Sequence, residues 1–347
     1  RFSKGRLRMR NVTIGAHSFL NPKEPYILAE IGLNHNGNLD LALRSIDAAK
    51  EAGAQGVKFQ SYFAEEFLHS SQEAALEVFR KCELSPDEFG KLGDHCRQVG
   101  IDFISTPLSF SYVSILDQLG VDAIKIASGD MNYFDMIEAA TATKRTLIIS
   151  TGMGMLSEID HLMSQNFLVD YPLVLLHCIS NYPPRLEDIH LRFVHTLSNL
   201  YPVPIGLSDH SVGNAVPLGA IALGALFIEK HFTLDCELEG PDHKMSIMPD
   251  GLKELVKGCQ DVFHALGEWK KPVIQDEVPV KNIARRGLYL DEGVSPGDLL
   301  TNENARFLRP PNGINPEEVR LLKGSWKLTQ EQEAELLRSH LEKSENS

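Results

Sequence analysis

The chain has 347 residues, 43% of them hydrophobic and 23% charged, and a formal net charge of −13. That is ordinary globular material, long enough to bury a core without covalent staples. An acidic chain with no long basic tract is not built to hold nucleic acid, although a few lysines inside a cleft can still hold a small anion against the global field.

The first ten residues, RFSKGRLRMR, are basic but lack the apolar stretch of a secretory signal, and they read as a frayed end. Short β-branched and apolar runs then alternate with longer amphipathic stretches. The runs are YILAEI, GVKFQ, DFIST, AIKIAS, TLIIST, LVLLHC, PIGLSD and LFIEKHF, which makes eight strand candidates between residues 26 and 232. In the first intervening helix, Leu39, Leu43, Ile46 and Ala49 share one face and Gly53 closes the end. A second helix starts with Ser85 as N-cap and Pro86 at its first position. A third pattern spans 187–200, and the last runs over 250–266. Eight strand–helix units predict an α/β fold, a (β/α)8 TIM barrel over residues 23–268. The absence of GxGxxG after the first strand lowers the dinucleotide-binding alternative.

Residues 269–284, rich in proline and charge, read as a linker. Residues 285–324 carry turn signals at Glu292-Gly293 and Pro296-Gly297 and read as a small β-rich module, followed by a helical tail over 325–347. The longest weakly polar run, AVPLGAIALGALFI, is 14 residues, short of the roughly 20 that span a bilayer as a helix. The five cysteines are scattered without a CxxC pair, so a reducing, cytoplasmic setting is expected.

In such a barrel the active site belongs at the carboxyl ends of the strands. Those ends carry Glu30, Lys58 and Gln60, Thr106, Lys125 and Ser128, Ser150, His177, Ser208 and His210, and finally Glu229 and His231. Buried charges are costly unless paired or bound to something, so this series describes a polar rim around a cavity. His210 and His231 end neighbouring strands, where two imidazoles with open positions suit Mn²⁺, Co²⁺, Fe²⁺ or Zn²⁺ better than Mg²⁺. Against this stands the plain alternative that each histidine is a satisfied core residue.

Lys58 and Lys125, on opposite arcs of the mouth, make a cage for a phosphate and a carboxylate with Thr106, Ser128 and Ser150. The alternatives are a rim ion pair of Lys58 with Glu30, and a Schiff-base role for Lys125. Asp130, Asp209 and Asp242 sit in loops beside the strand ends. Asp242 in GPDH either grips sugar hydroxyls, holds a water or only forms a turn. In SNYPP, Asn181 and Tyr182 are candidates to close over a ligand.

The stretches AEIGLNHNG, GVKFQ, STPLS, KIASGD, ISTGM, LHCISNYPP, GLSDHSVG, IEKHFTLD and GPDH stand in this order. Together they resemble the N-acylneuraminate synthase family, which makes sialic, legionaminic and pseudaminic acids and has relatives in spore-coat polysaccharide biosynthesis. The RPPNGI stretch resembles that family's antifreeze-like (SAF) module. The resemblance implies condensation of phosphoenolpyruvate with an N-acylated hexose such as N-acetylmannosamine, giving a nine-carbon 2-keto acid and phosphate with C–O cleavage.

By that resemblance His210 and His231 hold a divalent metal, Mn²⁺ first, with Mg²⁺ or Co²⁺ as alternatives. Lys58, Thr106, Lys125, Ser128, Ser150 and Ser208 hold phosphoenolpyruvate, Gln60, Tyr182 and Asp242 lie near the sugar, and Glu30 stands beside the reacting centre. Arg309 reaches from the antifreeze-like module into the partner's site of a homodimer with exchanged modules. The segment after the second strand is shorter than the family leads one to expect, Asp130 stands where many relatives have glutamate, and Ser246-Ile247-Met248-Pro249 lacks an acid. The module looks truncated by its helical tail. A Schiff-base pyruvate aldolase using Lys125 and a non-catalytic carbohydrate-binding relative are the competing functions.

Overall fold

The structure is a computed structural model. It describes residues 9–268, 270–295, 298–311, 314–317, 320–322 and 325–327, with isolated positions beyond. The chain divides into two compact units, Arg1–Gly267 and Glu268–Ser347.

In the first unit eight parallel strands close a barrel in chain order. They are β1 Tyr26–Gly32, β2 Gly56–Ser61, β3 Asp102–Pro107, β4 Ala123–Ile126, β5 Thr146–Ser150, β6 Leu173–Cys178, β7 Ile205–Asp209 and β8 Phe227–His231. β8 pairs back on β1, from Phe227 against Tyr26 to His231 against Glu30. The strands are covered on both faces, which is why they read as near-continuous apolar runs and not as alternating ones.

The first helix, Leu39–Glu51, is capped by the Asn38 side chain, which accepts from the Leu41 amide at 3.1 Å. Its C-cap is Ala52, and Gly53 follows at φ +92°. The helix Pro86–Val99 has Ser85 and Glu88 in a reciprocal capping box and ends on left-handed Gly100. The pattern read over 187–200 is helical only over Phe193–Leu200, after a 3₁₀ turn at Leu186–Asp188. His190 adopts φ +48°, which interrupts any continuous helix there.

The barrel floor is closed by a hairpin of Thr13–Ile14 and His17–Ser18. Val12, Ile14 and Phe19 pack with Tyr26, Leu28, Ile104, Ala123, Ile148, Val174, Leu176 and Phe227. The Tyr26 and Phe227 rings stack with centroids 5.0 Å apart, and Thr146 donates to the Thr13 carbonyl at 2.7 Å. At Gly15 (φ +50°) a Cβ would meet Asp102 Oδ1 at 2.1 Å, so only glycine turns here. The basic start is tied down at Arg10, which donates to the carbonyls of Leu168 and Tyr171.

In the second unit Glu277–Ala284 is a helix inside the stretch expected to be a linker. Pro279 is tolerated because it lies in the first turn, where its missing N–H has no partner to lose. Gly287–Leu290 pairs antiparallel with Ala305–Leu308 over a small core of Leu288, Leu290, Leu300, Ala305 and Ile314. Arg320–Leu322 pairs with Ser325–Lys327, so the first residues expected in a helical tail form a strand. The described residues beyond Lys327 are helical, and the rest of the tail, like the Pro296-Gly297 turn, lies outside the described residues. Among the described residues no helix is long and apolar enough to cross a membrane.

Phe19 is fully buried against Tyr26 and Phe227. Phe19→Ala is expected to lower stability by about 3–5 kcal/mol, read as an earlier urea or thermal midpoint. An unchanged midpoint would show that the hairpin does not support the barrel.

Candidate active site

The barrel strands alternate between an inner and an outer face. On β8, Phe227 belongs to the floor cluster and Ile228 to the helix-facing core, so Glu229 and His231 point inward and Lys230 outward. The same parity turns Glu30, Lys58, Gln60, Thr106, Lys125, Ser150, Cys178, Ser208 and His210 inward, one layer above the apolar floor. It turns two residues expected at the site outward. His177 donates from Nε2 to the Ile189 carbonyl at 2.6 Å, and Asp209 pairs with Lys230 at 2.5 Å.

Four charged groups meet in the inner layer. Lys58 Nζ lies 2.8 Å from Glu30 Oε2 and 3.6 Å from Glu229 Oε2, and donates to Thr106 Oγ1 at 3.1 Å. Lys125 Nζ lies 3.9 Å from Glu229 Oε1 and donates to the Ile126 carbonyl at 3.2 Å. Ser208 Oγ donates to Glu229 Oε1 at 2.8 Å, and Gln60 Nε2 to Glu30 Oε1 at 3.4 Å. The two lysines are therefore not on opposite arcs, because they converge on one carboxylate. The Lys58–Glu30 pair is buried, with Lys58 4% and Glu30 1% exposed, and is no rim pair.

The two carboxyl groups have opposite protonation preferences. Burial pushes Glu30 up to about 7 despite Lys58, and the charge of Glu229 adds to the push. Burial acts on Glu229 too, but Lys125, Lys58 and the Ser208 hydroxyl outweigh it and hold Glu229 well below the usual carboxylate range. Burial lowers Lys125, while for Lys58 the two carboxylates outweigh burial and raise it. With Glu30 protonated the cluster carries two ammonium groups against one carboxylate and attracts an anion.

Beside this cluster the rings of His210 and His231 stand 5.4 Å apart between centroids. His210 Nδ1 donates to the Ile179 carbonyl at 2.9 Å, which leaves its Nε2 lone pair free. His231 Nδ1 is buried and has no hydrogen-bond partner among the described residues; Asp242 Oδ2 lies 3.8 Å from it. Burial lowers the pKa of His231 and raises that of Asp242. Two imidazoles presenting lone pairs and a nearby carboxylate fit a divalent cation. Among the described residues no three His, Cys, Asp or Glu groups enclose an ion, so substrate or water would complete its shell.

The remaining expected residues divide. Ser150 Oγ is buried without a partner among the described residues, free to donate to a ligand. Ser128 Oγ accepts from the Gly152 amide at 3.0 Å, and a Cβ on Gly152 would strike Ser180 Oγ at 2.3 Å and Ser128 Oγ at 2.7 Å. Asp130 follows on the 3₁₀ turn Ser128–Asp130, its carboxyl raised by burial against the pull of Lys125. The Tyr182 ring lies 4.0 Å from that of His210, whereas Asn181 Oδ1 accepts from the Tyr182 amide within its own loop. Arg309 is exposed in the second unit.

Glu229, expected at the rim as a strand end but given no role there, is the central residue of the cluster, and strand parity alone puts it on the same face as His231. Asn34, Asn36 and His243 were also unassigned. Asn34 Nδ2 donates to the Phe232 carbonyl at 2.9 Å and Ser246 Oγ at 2.8 Å. Asn36 Nδ2 donates to His243 Nε2 at 3.1 Å, and His243 Nδ1 bonds Thr233 Oγ1 at 2.7 Å. The loop after β1 thereby holds the loop that carries Asp242.

Comparison with known proteins agrees on one family. A family model described as the NeuB family matches residues 45–271. An uncharacterised protein of Methanocaldococcus jannaschii is 39% identical, over 90% of this chain and 93% of its own. The N,N'-diacetyllegionaminic acid synthase of Legionella pneumophila is 37% identical, over 86% of this chain and 89% of its own. Among solved structures, N-acetylneuraminic acid (sialic acid) synthetase from Leptospira borgpetersenii in complex with citrate superposes with a TM-score of 0.73 at 36% identity, covering 78% of this chain and 95% of that one. The chain belongs to the NeuB family.

Proposed function

We propose that the chain is a sialic-acid-type synthase that condenses phosphoenolpyruvate with an N-acylated hexose, giving a nine-carbon 2-keto sugar acid and phosphate. The observation that carries this reading is the convergence of Lys58 and Lys125 on one buried carboxylate beside the His210–His231 pair. A trianionic enol phosphate needs ammonium groups and hydroxyl donors at one end, and its aldehyde partner needs polarising at the other.

Lys58, Lys125, Thr106, Ser150 and Ser208 bind and orient the enol phosphate, so that its C3 faces the acceptor carbonyl carbon. His210 and His231, with Asp242 near, would hold a divalent cation, Mn²⁺ by the family resemblance, which supplies Lewis-acid polarisation of the acceptor oxygen when bound. As the C3–carbon bond forms, the acceptor oxygen takes a proton from solvent water and positive charge develops at C2. Water adds at C2 and Glu30 takes its proton, its carboxyl near 7 being poised to do so. Collapse of the resulting tetrahedral centre breaks the C2–O bond and releases phosphate. Tyr182, Gln60 and Asp242 face the acceptor sugar. We read residues 285–324 as an antifreeze-like module that presents Arg309 to the partner's site in a homodimer.

The test is phosphate release from phosphoenolpyruvate with Mn²⁺ and a panel of N-acyl hexoses. Release is expected with one acceptor, abolished by a chelator and by His231→Ala. Borohydride trapping of pyruvate on Lys125, whose pKa burial lowers, would overturn the reading in favour of a Schiff-base aldolase. No release with any acceptor would leave a carbohydrate-binding protein.

Glu30 is protonated below about pH 7 and then cannot accept a proton. Turnover is therefore expected to fall about tenfold per pH unit below 7, and Glu30→Gln to cost about 10²–10⁴-fold and flatten that limb. An acid limb that survives in Glu30→Gln assigns the proton transfer elsewhere. Arg309→Ala is expected to raise the KM for the acceptor and leave that for phosphoenolpyruvate unchanged; an unaltered acceptor KM would show that Arg309 does not meet the sugar.

A further inference from the structure

β7 and β8 run in a register that sets Ser208 opposite Glu229 and Asp209 opposite Lys230. Successive pairs therefore alternate across the sheet: Ser208–Glu229 inside, Asp209–Lys230 outside, and the His210–His231 rings inside again. The outer pair has no part in the proposed chemistry, yet Lys230 is 2% and Asp209 4% exposed. Lys230 Nζ donates to Asp209 Oδ2 at 2.5 Å, to the Gly213 carbonyl at 3.0 Å and to the Ser211 carbonyl. Asp209 Oδ1 accepts from the Ser211 amide at 3.0 Å. All three ammonium donors are thus used.

A buried ion pair is a poor stability device, since well-packed apolar residues of similar volume often serve as well or better. What an apolar pair cannot do is grip two backbone carbonyls. Lys230 precedes His231, and it ties down the Asp209–Gly213 segment in which His210 is embedded. The two imidazoles ride on opposite ends of one rigid set of hydrogen bonds.

We propose that Asp209 and Lys230 form a positioning clamp that sets the spacing and facing of His210 and His231. The proposal rests on the reading of those rings as cation ligands, and its test separates the two. The full-length protein and the neutral double variant Asp209→Asn/Lys230→Met are compared by thermal unfolding, by Mn²⁺ binding followed through the EPR signal of the free ion, and by ¹⁵N-histidine spectra. The double variant is expected to remain folded, to bind Mn²⁺ about 10–100-fold more weakly, and to show shifted or broadened His210 and His231 ring signals while His95, paired with Asp47 on the surface, stays put. A folded double variant with unchanged Mn²⁺ affinity overturns the clamp. If the unaltered protein binds no Mn²⁺, the metal reading fails, and the clamp is then decided by the ring signals alone, unchanged spectra overturning it. Should the double variant not fold, Lys230→Arg, which keeps the charge but redirects the donors, is read by the same criteria.

Discussion

Two ammonium groups and two carboxyl groups share the interior of a closed barrel, each at most 5% exposed, and each is tolerable only because the others are present. Removing one partner from such a set leaves an uncompensated buried charge, at a cost of about 3–5 kcal/mol. The set is not symmetric. Glu229 faces both lysines and a hydroxyl donor and stays anionic, whereas Glu30 faces one lysine and sits under the charge of Glu229. The proton that Glu30 gains or loses near neutrality switches the cluster between neutral and positive. A site built this way can receive an anion and handle a proton with one group of residues.

That cluster depends in turn on closure of the sheet. Because β8 pairs with both β7 and β1, the inward residues of three successive strands, His210, His231 and Glu30, form one continuous arc. A slip of one residue in β8 would exchange inner for outer side chains and put Lys230 where His231 stands. Beneath the arc the floor is apolar, stoppered by the N-terminal hairpin. The polar layer therefore opens only toward the loops that follow the strands.

Those loops are held by contacts distant in sequence. Asn34 and Asn36, after β1, bind residues of the 232–246 segment, which fixes Asp242 near His231. The short segment after β2 builds a small core of its own, in which Tyr62 packs on Phe67 and Phe79 and donates to the Phe79 carbonyl at 3.0 Å. It is folded into helices at Ala64–Phe67 and Glu73–Cys82 and is not a loop draped over the mouth.

The amino-acid sequence by itself determined the eight strands and their order, because strands buried on both faces are long apolar runs that stand out from amphipathic helices. It also marked which residues end each strand, and so Lys58, Thr106, Lys125, Ser208, His210 and His231 were legible as a group. The strand-like start of the expected tail and the helix in the expected linker were not, since short segments of weak periodicity take their form from what they pack against. Only the tertiary structure decided which strand-end residues face each other. It put His177 and Asp209 outside and Glu229 at the centre, because the face a strand residue occupies is set by register with its neighbours. It also decided that Glu30 and Glu229, chemically alike, hold protons differently, since that difference comes from distances to Lys58, Lys125 and Ser208 that no linear pattern encodes.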